Sequence, residues 1–207
     1  MFREFLINTG MLKHLFFKRR YVLSINEAKS ISGPADLTIH QTIPTHGWDS
    51  LRQKRDPAVL EEWSKHSDMV LVLAVLDGDI VGYGWLLIPD TVLWHDKILV
   101  YPDEALLFDA YVKPNYRRQG VYGQLHATRR SIGLDNAERV ITVVESRNNA
   151  SLSANISFGM KKLSTNYLVK FFGINFLSIE RGGRSHISVH IDVPNKTSIK
   201  RQFTDPS

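Results

Sequence analysis

The chain has 207 residues, 43% of them hydrophobic and 23% charged, with a formal net charge of +5. That length and balance belong to a folded chain able to bury one sizeable core, and the positive excess allows an anionic partner. The absence of cysteine excludes disulfides, thiolate metal sites and cysteine nucleophiles. No apolar run approaches the roughly 18 residues of a membrane-spanning helix.

In chain order, Phe2, Phe5, Leu6, Met11, Leu12, Leu15, Phe16 and Phe17 are interspersed with Arg3, Lys13, Lys18, Arg19 and Arg20. Residues 1–20 therefore read as an amphipathic helix, packed on the domain or lying on a membrane surface. Lys13 and His14 interrupt any signal-peptide core. Tyr21 to Ile25 and Leu37 to Ile43 read as strands around the turn Ser30-Ile31-Ser32-Gly33-Pro34. Asp56-Pro57 opens a helix through Leu60, Glu61, Glu62 and Trp63. Met69 to Leu76 and Ile80 to Ile88 are apolar runs joined by the tight pair Asp77-Gly78, which predicts a hairpin covered on both faces. Trp94 to Val100 predicts a further strand, and residues 105–112 another.

Val121, Leu125, Thr128 and Ile132 recur at helical spacing and predict a helix with a single buried stripe. Arg139 to Val144 is a β-branched strand. Asn148 to Phe158 reads as a helix closed by Gly159. Leu168 to Ile179 holds one or two strands, Ile187, Val189 and Ile191 alternate as in an edge strand, and residues 195–207 read as a loose polar tail.

The most informative stretch is Tyr111-Val112-Lys113-Pro114-Asn115-Tyr116-Arg117-Arg118-Gln119-Gly120-Val121-Tyr122-Gly123. Pro114 ends the strand, because proline cannot donate to a sheet ladder. Two glycines stand where a helix begins, and a helix start offers unpaired N–H groups and partial positive charge to a phosphate. The Gly-Lys-Ser/Thr end of a P-loop is missing, as is dinucleotide spacing. Residues 111–130 hold Lys113, Arg117, Arg118, Arg129 and Arg130 and no acid. Such a local cluster suits a compact polyanion; nucleic acid, which calls for a wider basic face with interleaved aromatics, is not expected. The eight histidines include no His-Glu-x-x-His, so no metal is expected.

The run from Asp109 to Gly123 resembles the acetyl-CoA signature of the GNAT superfamily, the acetyl-CoA-dependent N-acetyltransferases. Arg117 and Gly120 fill the first two fixed places of Gln/Arg-x-x-Gly-x-Gly/Ala, and Tyr122 stands at the third, with Gly123 after it. Tyr122 must therefore point away from a bound pyrophosphate. Asn148-x-x-Ser151-x-x-x-Asn155-x-x-x-Gly159-Met160 has the spacing of the family's later helix. Its three polar residues form one stripe. Both pieces together span about residues 105–175.

The resemblance implies an α/β (α+β) fold with a mixed, mostly antiparallel central sheet and helices on both faces. It implies one acyltransferase domain over 21–180, preceded by the helix over 1–20 and followed by an edge strand and tail over 181–207. It further implies N-acetyl transfer from acetyl-CoA to a primary amine of a small molecule, an amino sugar among the candidates, by direct attack. A longer acyl donor, a protein amine, or a non-catalytic CoA-binding module are the alternatives. The implied chain is cytoplasmic and metal-free, and a homodimer is left open.

By the same resemblance, backbone N–H groups of Arg118, Gln119, Gly120, Val121, Tyr122 and Gly123 hold the CoA pyrophosphate, with Arg117 and Arg118 adding charge. Tyr111 and Val112 offer main-chain groups to the pantetheine arm, as do the side chains of Asn148, Ser151 and Asn155. Asp109 is the first candidate for removing the amine proton and Glu145 the second. Asn155 stands where many relatives carry a tyrosine general acid; Tyr122, Ser151, Tyr167 or water are its possible substitutes. Trp48, Trp85, Trp94 and Tyr101 are candidates for stacking on an acceptor, or for the core. Asp90, Asp96, Asp103 and Glu104 are candidates for an acidic pocket.

Overall fold

The structure is a computed structural model, and it describes residues 15–27, 31, 33–34, 36–40, 57–95, 98–171, 174–181 and 184–191. Along the chain run β1 (Leu15–Ile25), β2 (Asp36–His40), α1 (Pro57–Ser64), β3 (Met69–Leu76), β4 (Asp79–Leu87), β5 (Leu93–His95), β6 (Ile98–Val100) and β7 (Glu104–Val112). A 3-10 turn (Pro114–Tyr116) leads to α2 (Val121–Leu134), β8 (Arg139–Glu145), α3 (Asn149–Ser157), β9 (Lys161–Phe171), β10 (Ile174–Arg181) and β11 (Arg184–Ile191). These elements divide between two compact units, residues 25–142 and residues 1–24 with 143–207.

In the unit of residues 25–142 the strand order is β8-β7-β4-β3-β2. All neighbours are antiparallel except β7 and β8. The β3–β4 hairpin turns at Asp77 and Gly78, both at positive φ. Every residue of β4 from Val81 to Leu87 is buried, as expected of a strand apolar on both faces. The cover comes from two helices. On one face, Trp63 of α1 packs edge-on against Trp85 and Phe108, with centroids 5.6 and 5.0 Å apart. On the other, α2 buries Val121 and Leu125 among Val72, Ala74, Val81 and Val112. Alternation along β4 decides which face is which, with Gly82 and Gly84 turned toward α2 and Tyr83 and Trp85 away from it.

In the other unit the order is β11-β10-β9-β1, antiparallel throughout. The expected helix over residues 15–20 is instead the first part of β1, paired from Leu15↔Phe171 to Ser24↔Lys161. Phe16, Phe17, Tyr21, Val22 and Ile25 make β1 as a whole rich in aromatic and β-branched residues, which favour the pleated surface. Residues 1–14 and the tail over 195–207 lie outside the described residues. The single strand expected from Trp94 to Val100 is two short ones, β5 and β6, paired antiparallel. The polar pair Asp96-Lys97 divides that apolar run.

Candidate active site

The site is built around an irregularity in β7. Tyr83 of β4 pairs with Tyr111, and Trp85 pairs with Phe108, so two steps on β4 face three on β7. The extra residue is a β-bulge, and Asp109 within it has a φ of +39°. Positive φ at a non-glycine residue is a local strain that the surrounding pairing must hold in place. The Tyr83 hydroxyl donates to Asp109 Oδ2 at 3.4 Å. Tyr83 is buried and Asp109 half-buried, so the carboxylate sits at the edge of the core and not in open water. The parallel ladder between β7 and β8 runs from Glu104↔Arg139 to Leu107↔Thr142.

The cradle follows directly. Arg117 Nε donates to the Val112 carbonyl at 3.0 Å, and the guanidinium carbon lies 5.6 Å from the centre of the Tyr111 ring. Arg117, itself exposed, thus ties the loop back onto the end of β7. Arg118 and Gly120 both have positive φ, +63° and +88°. Gly120 is the N-cap of α2, and no side chain caps that helix start. A Cβ at Gly120 would meet only Pro34, at 3.9 Å, so glycine is needed there for its backbone angle and not for space. The first-turn N–H groups of α2 have no intrahelical acceptor. Tyr122 does turn away from them, packing against the cluster around Val72 and Val112.

Arg129 and Arg130 do not belong to a surface cluster as the sequence suggested, since they are 1% and 0% exposed. The surface charge of the cradle comes from Lys113, Arg117 and Arg118. Arg129 lies along the floor of the bulge. Its Nη1 donates to the carbonyls of Trp85 at 3.2 Å and Phe108 at 3.4 Å, and its Nε to Leu125 at 3.2 Å. Burial pulls its pKa below the usual arginine value; the Tyr122 hydroxyl and the Asp109 carboxylate oppose that shift. A Cβ at Gly84 would lie 2.5 Å from the Arg129 guanidinium carbon, so only glycine leaves it room.

Several other sequence candidates have structural partners. Asn148 caps α3, its Oδ1 accepting from Ser151 N at 3.1 Å. Asn155 is buried, and its Nδ2 donates to the Ser151 carbonyl at 2.8 Å and to Ser151 Oγ at 3.3 Å. The polar stripe is thus knitted to itself. Glu145 forms an ion pair with Lys18. Asp103 and Glu104, expected among the acids of a pocket, are both held by Arg139, at 2.9 and 3.2 Å. Trp85 is core, stacked on Phe108 at 6.5 Å. Trp48, Asp96 and the side chain of Trp94 lie outside the described residues.

Sequence reasoning missed Tyr83 and the placement of Arg129. Gly82-Tyr83-Gly84 carried the signal, because paired glycines inside an apolar strand mark a bulge or a close approach. Among the described residues no group of three or more His, Asp or Glu side chains is arranged to hold a metal ion, and no helix is long and apolar enough to cross a membrane.

A mixed, mostly antiparallel sheet, a bulged strand and an uncapped glycine helix start fit the acyltransferase fold that the sequence motifs resemble. The family model for the acetyltransferase (GNAT) family matches residues 37–154. The chain belongs to that family. Among solved structures it resembles the aminoglycoside N-acetyltransferase AAC(6')-Iy, crystallised with CoA, at 20% identity and a TM-score of 0.50, over 61% of this chain and 92% of that one. A conserved Staphylococcus epidermidis protein of unknown function aligns at 13% identity and a TM-score of 0.52, over 81% of this chain and 67% of that one. A tandem GNAT protein from the clavulanic acid biosynthesis pathway aligns at 14% and 0.51, over 77% and 55%. At these identities the likeness speaks for the fold. No curated protein matches by sequence.

Proposed function

We propose that the protein transfers an acetyl group from acetyl-CoA to a primary amine of a small molecule, with an amino sugar as the first class to test. The observation that carries this is the succession, along one stretch of chain, of a bulge-held carboxylate at Asp109 and a helix start at Gly120 that no side chain caps. The related aminoglycoside N-acetyltransferase has been solved with CoA, and with a bisubstrate joining CoA to an acetylated neamine. That supports both the donor and the acceptor class.

In this reading the N–H groups of Arg118 to Gly123 take the pyrophosphate, with Arg117 and Arg118 adding charge. The pantetheine arm runs along Tyr111 and Val112 as an added strand. Because the Val112 carbonyl already accepts from Arg117, the arm relies on the remaining main-chain groups. A neutral amine attacks the thioester carbon. Its developing oxyanion is held by the N–H of Tyr111 or Val112, and Asp109 accepts the amine proton. The new C–N bond forms as the C–S bond breaks and CoA leaves as its thiolate. A thiol of ordinary pKa, about 8.5, leaves without a dedicated acid, so an amide at Asn155 is tolerable. Glu145, engaged by Lys18, ranks behind Asp109 as the base.

Release of CoA thiol from acetyl-CoA, followed against a panel of amino sugars, polyamines and arylamines, tests the proposal. Turnover with at least one amine, lost in Asp109→Asn, is the expected result. A chain that binds acetyl-CoA yet releases thiol with none of them would be a CoA-binding module and not an enzyme.

A further inference from the structure

Placing a guanidinium inside a core is costly, and an apolar residue of similar volume is often as stable or more so. Arg129, almost fully buried on the sheet-facing side of α2, therefore needs a reason beyond stability. Its contacts supply one. Trp85 and Phe108 form the last regular pair before the β4–β7 register shifts. One nitrogen of Arg129 donates to the carbonyls of both, 3.2 and 3.4 Å away, and so bridges the two strands where they part. A bulge interrupts the ladder beside this pair, and a buried carbonyl at such a break is steadied by a further donor. Gly84, the β4 residue facing the bulge, is the one whose missing side chain makes room for the guanidinium.

We propose that Arg129 is a positioning residue for the reaction, whose guanidinium holds the bulge open and thereby aims the Asp109 carboxylate. The inference rests on the reading of Asp109 as the base. Asp109 is then held from both faces of the sheet. Tyr83 donates its hydroxyl on one side. On the other side the Arg129 guanidinium holds the Phe108 carbonyl, one residue before Asp109. Arg129 touches neither donor nor acceptor in this arrangement and acts only through β7.

A double-mutant cycle between Arg129→Met and Asp109→Asn separates positioning from support of the fold. Arg129→Met should lower kcat roughly tenfold to a hundredfold, the scale of a misplaced reacting group, while KM for acetyl-CoA moves by less than about twofold. The same substitution in the Asp109→Asn background should cost nothing further. Arg129→Lys keeps the charge without the fork, so it should recover part of the rate, and it replaces Arg129→Met in the cycle if that variant does not fold. Amide hydrogen exchange over residues 108–112, read alongside, should quicken in either variant. Additive losses in the cycle, or unchanged exchange, would overturn the assignment and leave Asp109 as base intact. Full activity in Asp109→Asn itself would instead overturn the reading of the base, and the role of Arg129 with it.

Discussion

Two helices of this chain start just after a strand, and they begin in opposite ways. The first turn of α3 is closed by its own Asn148, whose side chain accepts from Ser151 N. The first turn of α2 begins at Gly120, which has no side chain to offer, and two arginines stand just before it. A helix start filled by its own residue has fewer N–H groups left for a ligand; one left bare inside a folded protein keeps them for an anion. The two motifs that look alike as family signatures therefore differ physically. The α2 start has no side-chain cap, which is why the proposed function places the ligand there, whereas much of the polarity of α3 is spent holding α3 together.

The strongest way to break this contrast is to make the α2 start resemble the other. Gly120→Asp puts a carboxylate beside the first-turn N–H groups, where it repels a phosphate and also strains a backbone held at positive φ; Arg117→Ala removes one of the two guanidinium charges that precede it. The double variant should weaken acetyl-CoA binding by roughly two orders of magnitude or more, as loss of charge-assisted bonds predicts. Unchanged affinity in a titration would mean the cradle has been misplaced. Next in size, Asp109→Asn should lower kcat by roughly a hundredfold to ten-thousandfold, the usual worth of a positioned base. Its affinity for acetyl-CoA should stay near that of the parent. A loss confined to affinity would make Asp109 a binding group.

Smaller effects lie in the supports. A methyl at Gly84 collides with the Arg129 guanidinium, so Gly84→Ala should destabilise the fold by about 1–3 kcal/mol, the cost of overpacking. A neutral result in chemical denaturation would show that Arg129 can withdraw from the bulge freely. Smallest is the cap of α3. Asn148→Ala should cost about 1 kcal/mol, with Asn148→Asp recovering most of it. Equal stability of the alanine and aspartate variants would remove capping as the role of Asn148.

Much of the fold was legible because the signals were local. The Asp77-Gly78 hairpin, the strand ended by Pro114, the glycine start of α2 and the Gly159 stop of α3 each rest on a turn or cap that a few neighbouring residues specify. What escaped depended on distant parts of the chain. Leu15 to Arg20 has the composition of an amphipathic helix, but its pairing with β9, more than a hundred residues later, made it a strand. Arg129 reads in sequence as one more surface charge beside the cradle. Only the register of β4 against β7 brings the Trp85 and Phe108 carbonyls to one guanidinium, in the space that Gly84 leaves. Asp109 could be picked out as an acid in an apolar strand. Its backbone angle and its bond to Tyr83 come from the bulge, which no short window of sequence encodes.

The proposed function turns on an acyl-CoA held at the α2 start. Isothermal titration of the full chain with acetyl-CoA tests it most directly, with Gly120→Asp titrated in parallel. The account predicts one site per chain on the parent protein, with affinity that falls as salt rises, and a heat lost in the variant. No heat at millimolar acetyl-CoA, or the same heat from both proteins, would contradict it.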